Sequence, residues 1–226
     1  MHLAGVMRAR PAFARSVFAR LFNLALPQHC VACSRPLQFD HPLCAACEAA
    51  LGPPPPPEPM GGIMVAALLR HAGPARELVH ALKYRGRRDV ARYLAARAAT
   101  SCPMLGPGVL LVPVPLHRRR ERARGYNQAR LLAEAIAARV PGATVVCALE
   151  RGCPTRSQTR LDRAARAANV AGAFALRAPA GVAGRPVLLV DDVVTTGATL
   201  AAAAAALLPA RPAWVRALTA ARAELD

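Results

Sequence analysis

The stretch from Val187 to Leu200, VLLVDDVVTTGATL, sets two adjacent carboxylates between an apolar run and a loop rich in Thr and Gly. Val187 to Val190 predicts a buried strand with Asp191 and Asp192 at its C-terminal end and a helix opening after Gly197. Open α/β sheets hold phosphate at such an edge, because the free N–H groups of the next helix point at the anion. Thr195, Thr196 and Thr199 add hydroxyl donors, and Gly197 lets the amides there, that of Ala198 included, turn inward. Asp191 and Asp192 only accept hydrogen bonds, which suits sugar hydroxyls or a hydrated metal rather than phosphate oxygens. The combination describes a cradle for a ribose 5-phosphate. An isolated Asp-Asp pair would read more simply as a solvated strand end capping a helix; the attached loop favours the cradle. Other nucleotide sites are excluded directly. The single lysine, Lys83, is followed by Tyr84 and so opens no phosphate-binding P-loop, and Gly106 and Gly108 lack the third glycine of a dinucleotide fingerprint.

A second group with chemistry lies near the N-terminus. Cys30-x2-Cys33 and Cys44-x2-Cys47 are two knuckles separated by ten residues, a spacing that lets four thiolates converge tetrahedrally on one Zn2+. A segment of about twenty residues has no core of its own, so the metal would supply its folding energy. A redox pair or disulfides are the alternatives, and His41 is a possible substitute ligand. Cys102, Cys147 and Cys153 have no such spacing and read as buried or loop thiols. Seven cysteines, with no secretory signal order at the N-terminus, point to a reducing cytosol.

The charge is +17, and 29 of the 30 basic residues are Arg, so the overall pI reflects composition more than binding. Its distribution is more telling: residues 113–177 carry a net +9, while 178–226 are balanced. An anion is expected against the middle of the chain. The run Arg118, Arg119, Arg120, Arg122, Arg124 is a solvated basic turn, a pyrophosphate contact or a nucleic-acid contact. Lys83 is the one compact ammonium in a chain that otherwise uses Arg, and either approaches a leaving group or is retained by chance. His117 caps a turn or donates to the anion, the turn being the better reading.

These groups need a frame. Apolar runs alternate with helical periodicity: Val109 to Val114 then Asn127 to Arg139, Thr144 to Leu149, and Val187 to Val190 then Ala198 to Leu208. The pattern predicts an α/β fold, a parallel sheet flanked by helices. The expected organisation is an amphipathic segment at 1–29, a zinc-ribbon-like segment at 30–52, a stiff Pro and Gly linker at 53–62 and a main domain at 63–226. In the first segment Phe13, Val17, Leu21 and Leu24 share a helical face, which docks on the domain or marks a transit or membrane-surface helix. No stretch is long and apolar enough for a transmembrane helix.

The stretch at Val187 to Leu200 resembles the PRPP-binding motif of type I phosphoribosyltransferases, PRPP being 5-phosphoribosyl 1-pyrophosphate. Three further features narrow the resemblance: LVPVPLHRRRERARGYNQARLLAEAIA at Leu111 to Ala137; the spacing Thr155-x2-Gln158-x2-Leu161 leading to Arg166-x2-Asn169-x4-Phe174; and the cysteine knuckles ahead of a body carrying Leu82-Lys83-Tyr84. Together they are similar to the ComF family over roughly residues 27 to 222. The resemblance implies a zinc-ribbon-like N-terminus on a phosphoribosyltransferase domain, and an association with DNA uptake in natural competence. It implies that Thr195 to Thr199 bind the 5-phosphate, Asp191 and Asp192 the ribose hydroxyls, and Val112 to His117, with Pro113, Val114 and Pro115, the pyrophosphate. Mg2+ would bridge ribose and pyrophosphate. Residues 151–172 would form a closing loop with Arg163 or Arg166, the latter a candidate catalytic residue, on the pyrophosphate. A transferase, a PRPP sensor without turnover, and an adaptor that binds single-stranded DNA or a partner helicase all remain open. The short tail from Ala220 to Asp226 builds no hood over the acceptor, so the cysteine segment is expected over or beside the site.

Overall fold

The computed structural model describes residues 28–37, 41–152, 172–177 and 181–224. The amphipathic expectation for the first segment, and Cys153, Arg163 and Arg166, lie outside them.

The chain enters through a small hairpin, β1 (Gln28–His29) and β2 (Pro36–Leu37), followed by a five-residue helix α1 (Ala45–Ala49). Next come β3 (Glu58–Met60) and β4 (Ile63–Arg70), then helices α2 (Gly73–Tyr84) and α3 (Arg88–Ser101). Strand β5 (Leu110–Pro113) leads to α4 (Arg118–Arg124), α5 (Gln128–Ala137) and the short β6 (Thr144–Val145). A separate antiparallel pair, β7 (Leu149–Arg151) and β8 (Phe174–Leu176), precedes β9 (Pro186–Val194), α6 (Ala198–Leu207) and β10 (Trp214–Arg222).

The main sheet has the order β3-β4-β10-β9-β5-β6, parallel except for β3. Its strands are apolar on both faces, as parallel strands covered on both sides must be. Leu188 and Val190 of β9 face a layer built from α2, α3 and α5, while Val187 and Leu189 face α6 and the β7–β8 pair. Each fully buried Leu or Val contributes about 1.5–3 kcal/mol over its exposed state. A core of Leu, Val and Ala therefore suffices in a chain with 4% aromatics.

The connections explain where a ligand can enter. From β5 the chain passes through α4 and α5 to β6 on one side; from β9 it passes through α6 to β10 on the other. Adjacent parallel strands whose connections diverge leave a crevice beyond their C-terminal ends, the usual binding place of open α/β sheets.

Two segments ahead of β4 are tied to the body. The stretch 53–62 is more than a spacer: Glu58–Met60 pairs with β4, Pro55 is buried, and Arg222 donates to the Pro56 carbonyl at 3.2 Å while pairing with Glu58 at 2.8 Å. The cysteine segment is not an isolated appendage either, since Val31, Leu43 and Leu51 join the same hydrophobic cluster as α2 and α3. Among the described residues, no helix is long and apolar enough to cross a membrane.

Candidate active site

At the crevice, the Val114 N–H donates to the Val190 carbonyl at 2.9 Å, so the loop that leaves β5 at Pro113, Val114 and Pro115 starts beside Asp191 and Asp192. Strand β9 runs four residues past Val190 because β10 stays paired with it, Thr219 opposite Asp191 and Arg222 opposite Val194. The carboxylates therefore sit within the strand, and alternation sends them to opposite faces. Asp192, buried, faces α2 and α5: Lys83 Nζ lies 3.1 Å from its Oδ1, and Gln128 Nε2 donates to its Oδ2. Asp191 turns to the other face, where the charge of Arg151 acts on it, and its Oδ1 accepts from the Asp192 N–H at 2.8 Å.

The string Arg124 to Gln128 is the framework of this side. Gly125 ends α4 in the left-handed region (φ 79°), which a side chain would disfavour. The Tyr126 hydroxyl donates to the Leu82 carbonyl at 2.6 Å, one residue before Lys83. Asn127 caps α5 by accepting from the N–H groups of Ala129 and Arg130, and its Nδ2 donates to the Val114 carbonyl at 3.0 Å, holding the β5 exit. Arg124 donates to Gln128 Oε1 at 2.8 Å, which leaves the amide nitrogen for Asp192. The sequence alone gives Gln128 no role and leaves Arg124 within an undecided basic run. The Gly-Tyr-Asn-Gln composition just before an apolar helix was the available signal. His117 accepts from the Arg119 N–H at 3.2 Å and so caps the start of α4, as expected.

On the other side of the crevice, Thr195 and Thr196 are exposed, and Ala198 and Thr199 are partly exposed. Gly197 is buried at φ 78°, and a Cβ there would lie 2.9 Å from that of Met60. The close approach of the β3–β4 turn thus requires glycine at this point of the loop. Arg151 and Phe174 face each other at the open end of the β7–β8 pair, the guanidinium 5.3 Å from the ring centroid. The expected closing loop at 151–172 lies, apart from its ends, outside the described residues. Arg151 itself, whose charge reaches Asp191, was not singled out from sequence.

Burial raises Asp191 above the ordinary carboxylate range, and neighbouring Asp192 raises it further; the Asp192 N–H, Lys83 and Arg151 offset only part, leaving it at about 7. A carboxyl raised in the folded state keeps its full stabilising share below the unfolded value and loses it as pH rises toward 7. Asp191→Asn, which retains the acceptor for the Asp192 N–H, escapes that loss. Its unliganded stability relative to the parent is expected to rise by on the order of 3 kcal/mol between pH 4.5 and 8. Urea unfolding at the two pH values checks this; a pH-independent difference would assign Asp191 an ordinary solvated carboxylate.

The second site is the cysteine cluster. The thiol sulfurs of Cys30, Cys33, Cys44 and Cys47 all lie within 4.8 Å of one another, Cys33 and Cys44 at 3.7 Å. A tetrahedron with metal–sulfur bonds of about 2.3 Å has sulfur–sulfur edges of about 3.8 Å, so the four thiols fit a single Zn2+. Burial works against the Cys30 thiolate, but the N–H groups of Cys44, Cys33 and Ala32 outweigh it and bring the thiol down to about 6. Cys47 is pushed up to about 12 by burial and by the other thiols. His41 is not in the cluster: its ring packs edge-on against Tyr93 at 5.0 Å and lies 3.4 Å from Glu48. Tyr93 donates to Glu48 at 3.2 Å, and Arg85 and Arg87 reach the carbonyls of Val31 and His29, each at 3.4 Å. The cluster thus sits on α3 and on the turn just after Lys83.

Residues 126–224 match the phosphoribosyl transferase domain family. A DNA utilization protein, YhgH, of Salmonella typhi is 32% identical over 194 residues, covering 79% of this chain and 83% of that protein. Competence protein F of Haemophilus influenzae is 37% identical over 109 residues, 48% of each chain. The chain belongs to the ComF family. A hypoxanthine phosphoribosyltransferase structure from Trypanosoma cruzi covers 64% of this chain and 67% of its own at 19% identity and a TM-score of 0.33. This ComF-family chain joins a phosphoribosyltransferase-type sheet to an N-terminal four-cysteine cluster consistent with a zinc ribbon.

Proposed function

We propose that this ComF-family protein binds PRPP with Mg2+ in the crevice between β5 and β9 and transfers the phosphoribosyl group to a small acceptor. The observation that carries the reading is the convergence, at a topological switch, of the Asp191-Asp192 pair, the Thr195 to Thr199 loop and the exit of β5. In this reading the amides and hydroxyls from Thr195 to Thr199 take the 5-phosphate at the start of α6. Asp191, with one carboxylate oxygen uncommitted among the described residues, accepts the ribose hydroxyls; Asp192 is held in place by Lys83 and Gln128. The loop at Pro113, Val114 and Pro115 cradles the pyrophosphate, and Arg163 and Arg166, which fall between β7 and β8 in the sequence, contact it. Mg2+ supplies charge neutralisation for the leaving group. The C1–oxygen bond to pyrophosphate breaks through an oxocarbenium-like state, the acceptor nucleophile bonds C1 and releases its proton, and pyrophosphate departs. Four cysteines hold one structural Zn2+, and the domains divide into a zinc-ribbon-like segment at 30–52, a Pro and Gly linker at 53–62 and a transferase-like domain at 63–226, with the ribbon beside the site.

Mg2+-dependent thermal stabilisation by PRPP, together with pyrophosphate release that accelerates when one of a set of metabolites is added, tests the reading. PRPP binding without such acceleration would favour a sensor; absence of any PRPP effect would overturn it. A second reading rests on α4, where Arg118, Arg119, Arg120 and Arg122 are exposed beside the site. They suit the backbone of single-stranded DNA in an adaptor that works with a helicase-type partner, and affinity there would fall steeply with salt. The cytosol is the compartment proposed, in keeping with reduced thiols.

A further inference from the structure

Beside the carboxylate pair lies a cleft of about 410 Å³ bounded by the end of β4 and by α2. Its volume is that of a small-molecule pocket. Lys83 lines it and reaches Asp192 at 3.1 Å, so the cleft adjoins the reacting centre proposed above. The charges along it pair off unevenly. Lys83 is countered by Asp192, and Arg85 by Glu77 at 3.5 Å. Arg76 lines the same cleft, exposed, with no ion pair among the described residues. Burial, then the charges of Lys83 and Arg76, lower the imidazole of His71, which leaves it neutral at pH 7. One guanidinium is therefore left for one anion, and a guanidinium fork matches a carboxylate in two parallel hydrogen bonds.

The cleft also has an aromatic wall. Tyr84 is 63% exposed, unusual for a ring in a chain this poor in aromatics. It is held in place nonetheless: the Arg124 guanidinium sits 4.8 Å from its centroid and donates to its hydroxyl at 3.3 Å, and the His80 ring lies 4.9 Å away, tilted by 46°. Arg124 in turn is tied through Gln128 to Asp192. An exposed ring braced by these contacts offers a planar ligand a stacking surface at a reduced cost of ordering a side chain. Val79 supplies a buried apolar floor.

We infer that this cleft is the acceptor pocket and that the acceptor is a planar ring bearing one carboxylate, its ring against Tyr84 and its carboxylate on Arg76. The assignment deepens the phosphoribosyl-transfer reading and rests on it for the role of the ligand, while the binding itself is measured independently.

Benzoate, nicotinate and salicylate, each against its carboxamide, are the probes, with the full chain and saturation-transfer NMR as the readout, with and without Mg2+ and PRPP. The acids are expected to bind at least tenfold tighter than the amides. Arg76→Gln should erase that preference, and Tyr84→Leu should weaken acid and amide alike. Both variants should keep the thermal shift produced by PRPP, which shows that they are folded. Equal affinity for acids and amides, no binding by any of the six, or an undiminished preference in Arg76→Gln overturns the pocket assignment. So does an oligothymidylate that binds through Tyr84 while the acids do not. Acid binding without any PRPP effect would instead overturn the transfer reading and leave a carboxylate site.

Discussion

Cys44→Ser is expected to reduce zinc from close to one ion per chain to almost none and to release the whole cysteine segment from the body. The four sulfurs form the only cluster of metal-ligating side chains among the described residues, and α1 and the β1–β2 hairpin are too short to stand unaided. Structural zinc in peptides of this kind is worth about 10–16 kcal/mol of folding free energy. Part of the loss spreads to the body, because Val31, Leu43 and Leu51, at 5%, 2% and 7% exposure, cover α2 and α3. Re-exposing three such side chains costs about 5 kcal/mol, a fall in melting temperature of roughly 10–20 °C for a chain of this length. Metal analysis, calorimetry and limited proteolysis near residues 52–57 measure the three effects. A metal-free variant that melts with the parent would show that packing alone holds the segment.

The second large effect concerns the carboxylates. PRPP with Mg2+ at about a hundredfold its dissociation constant stabilises by about 2.7 kcal/mol, or roughly 5–10 °C here. Asp191→Asn combined with Asp192→Asn is expected to abolish nearly all of that shift in a protein that still folds. The fold survives because an amide at position 192 still accepts from Gln128, and Lys83, partly exposed, swings to water. The single variants should differ. Asp191→Asn removes a carboxyl that the fold holds at about 7, so at pH 8 the unliganded protein gains stability while the ligand shift is lost. Asp192→Asn forfeits the Lys83 ion pair and lowers unliganded stability. An unchanged ligand shift in the double variant would make these carboxylates part of the scaffold alone.

Much of this molecule is local, and local features are readable from sequence. The cysteine knuckles are legible because two residues of spacing within each turn suffice to aim both thiols at one point. The strand, loop and helix at Val187 to Leu200 are legible because apolar run, Gly and Thr each act on their own neighbourhood. The resemblance to the ComF family drew on the order of such strings and agrees with the relatives found.

What tertiary structure decided is how distant segments meet. The length of β9 past Val190 depends on β10, some thirty residues later, and that extension splits Asp191 and Asp192 between two faces. The roles of Lys83 and Gln128 depend on α2 and α5 packing on the same face of β9. Neither shows in composition, because an ion pair between residues 109 positions apart leaves no spacing to read. The cysteine segment looked tethered by prolines, yet the buried side chains of Val31, Leu43 and Leu51 bind it to the body. The amino-acid sequence by itself determined which groups can do chemistry and on which turns they stand. Only the packing of α2, α5 and the cysteine segment decided which of those groups share a site, since hydrophobic burial is non-directional and chooses its partners in three dimensions.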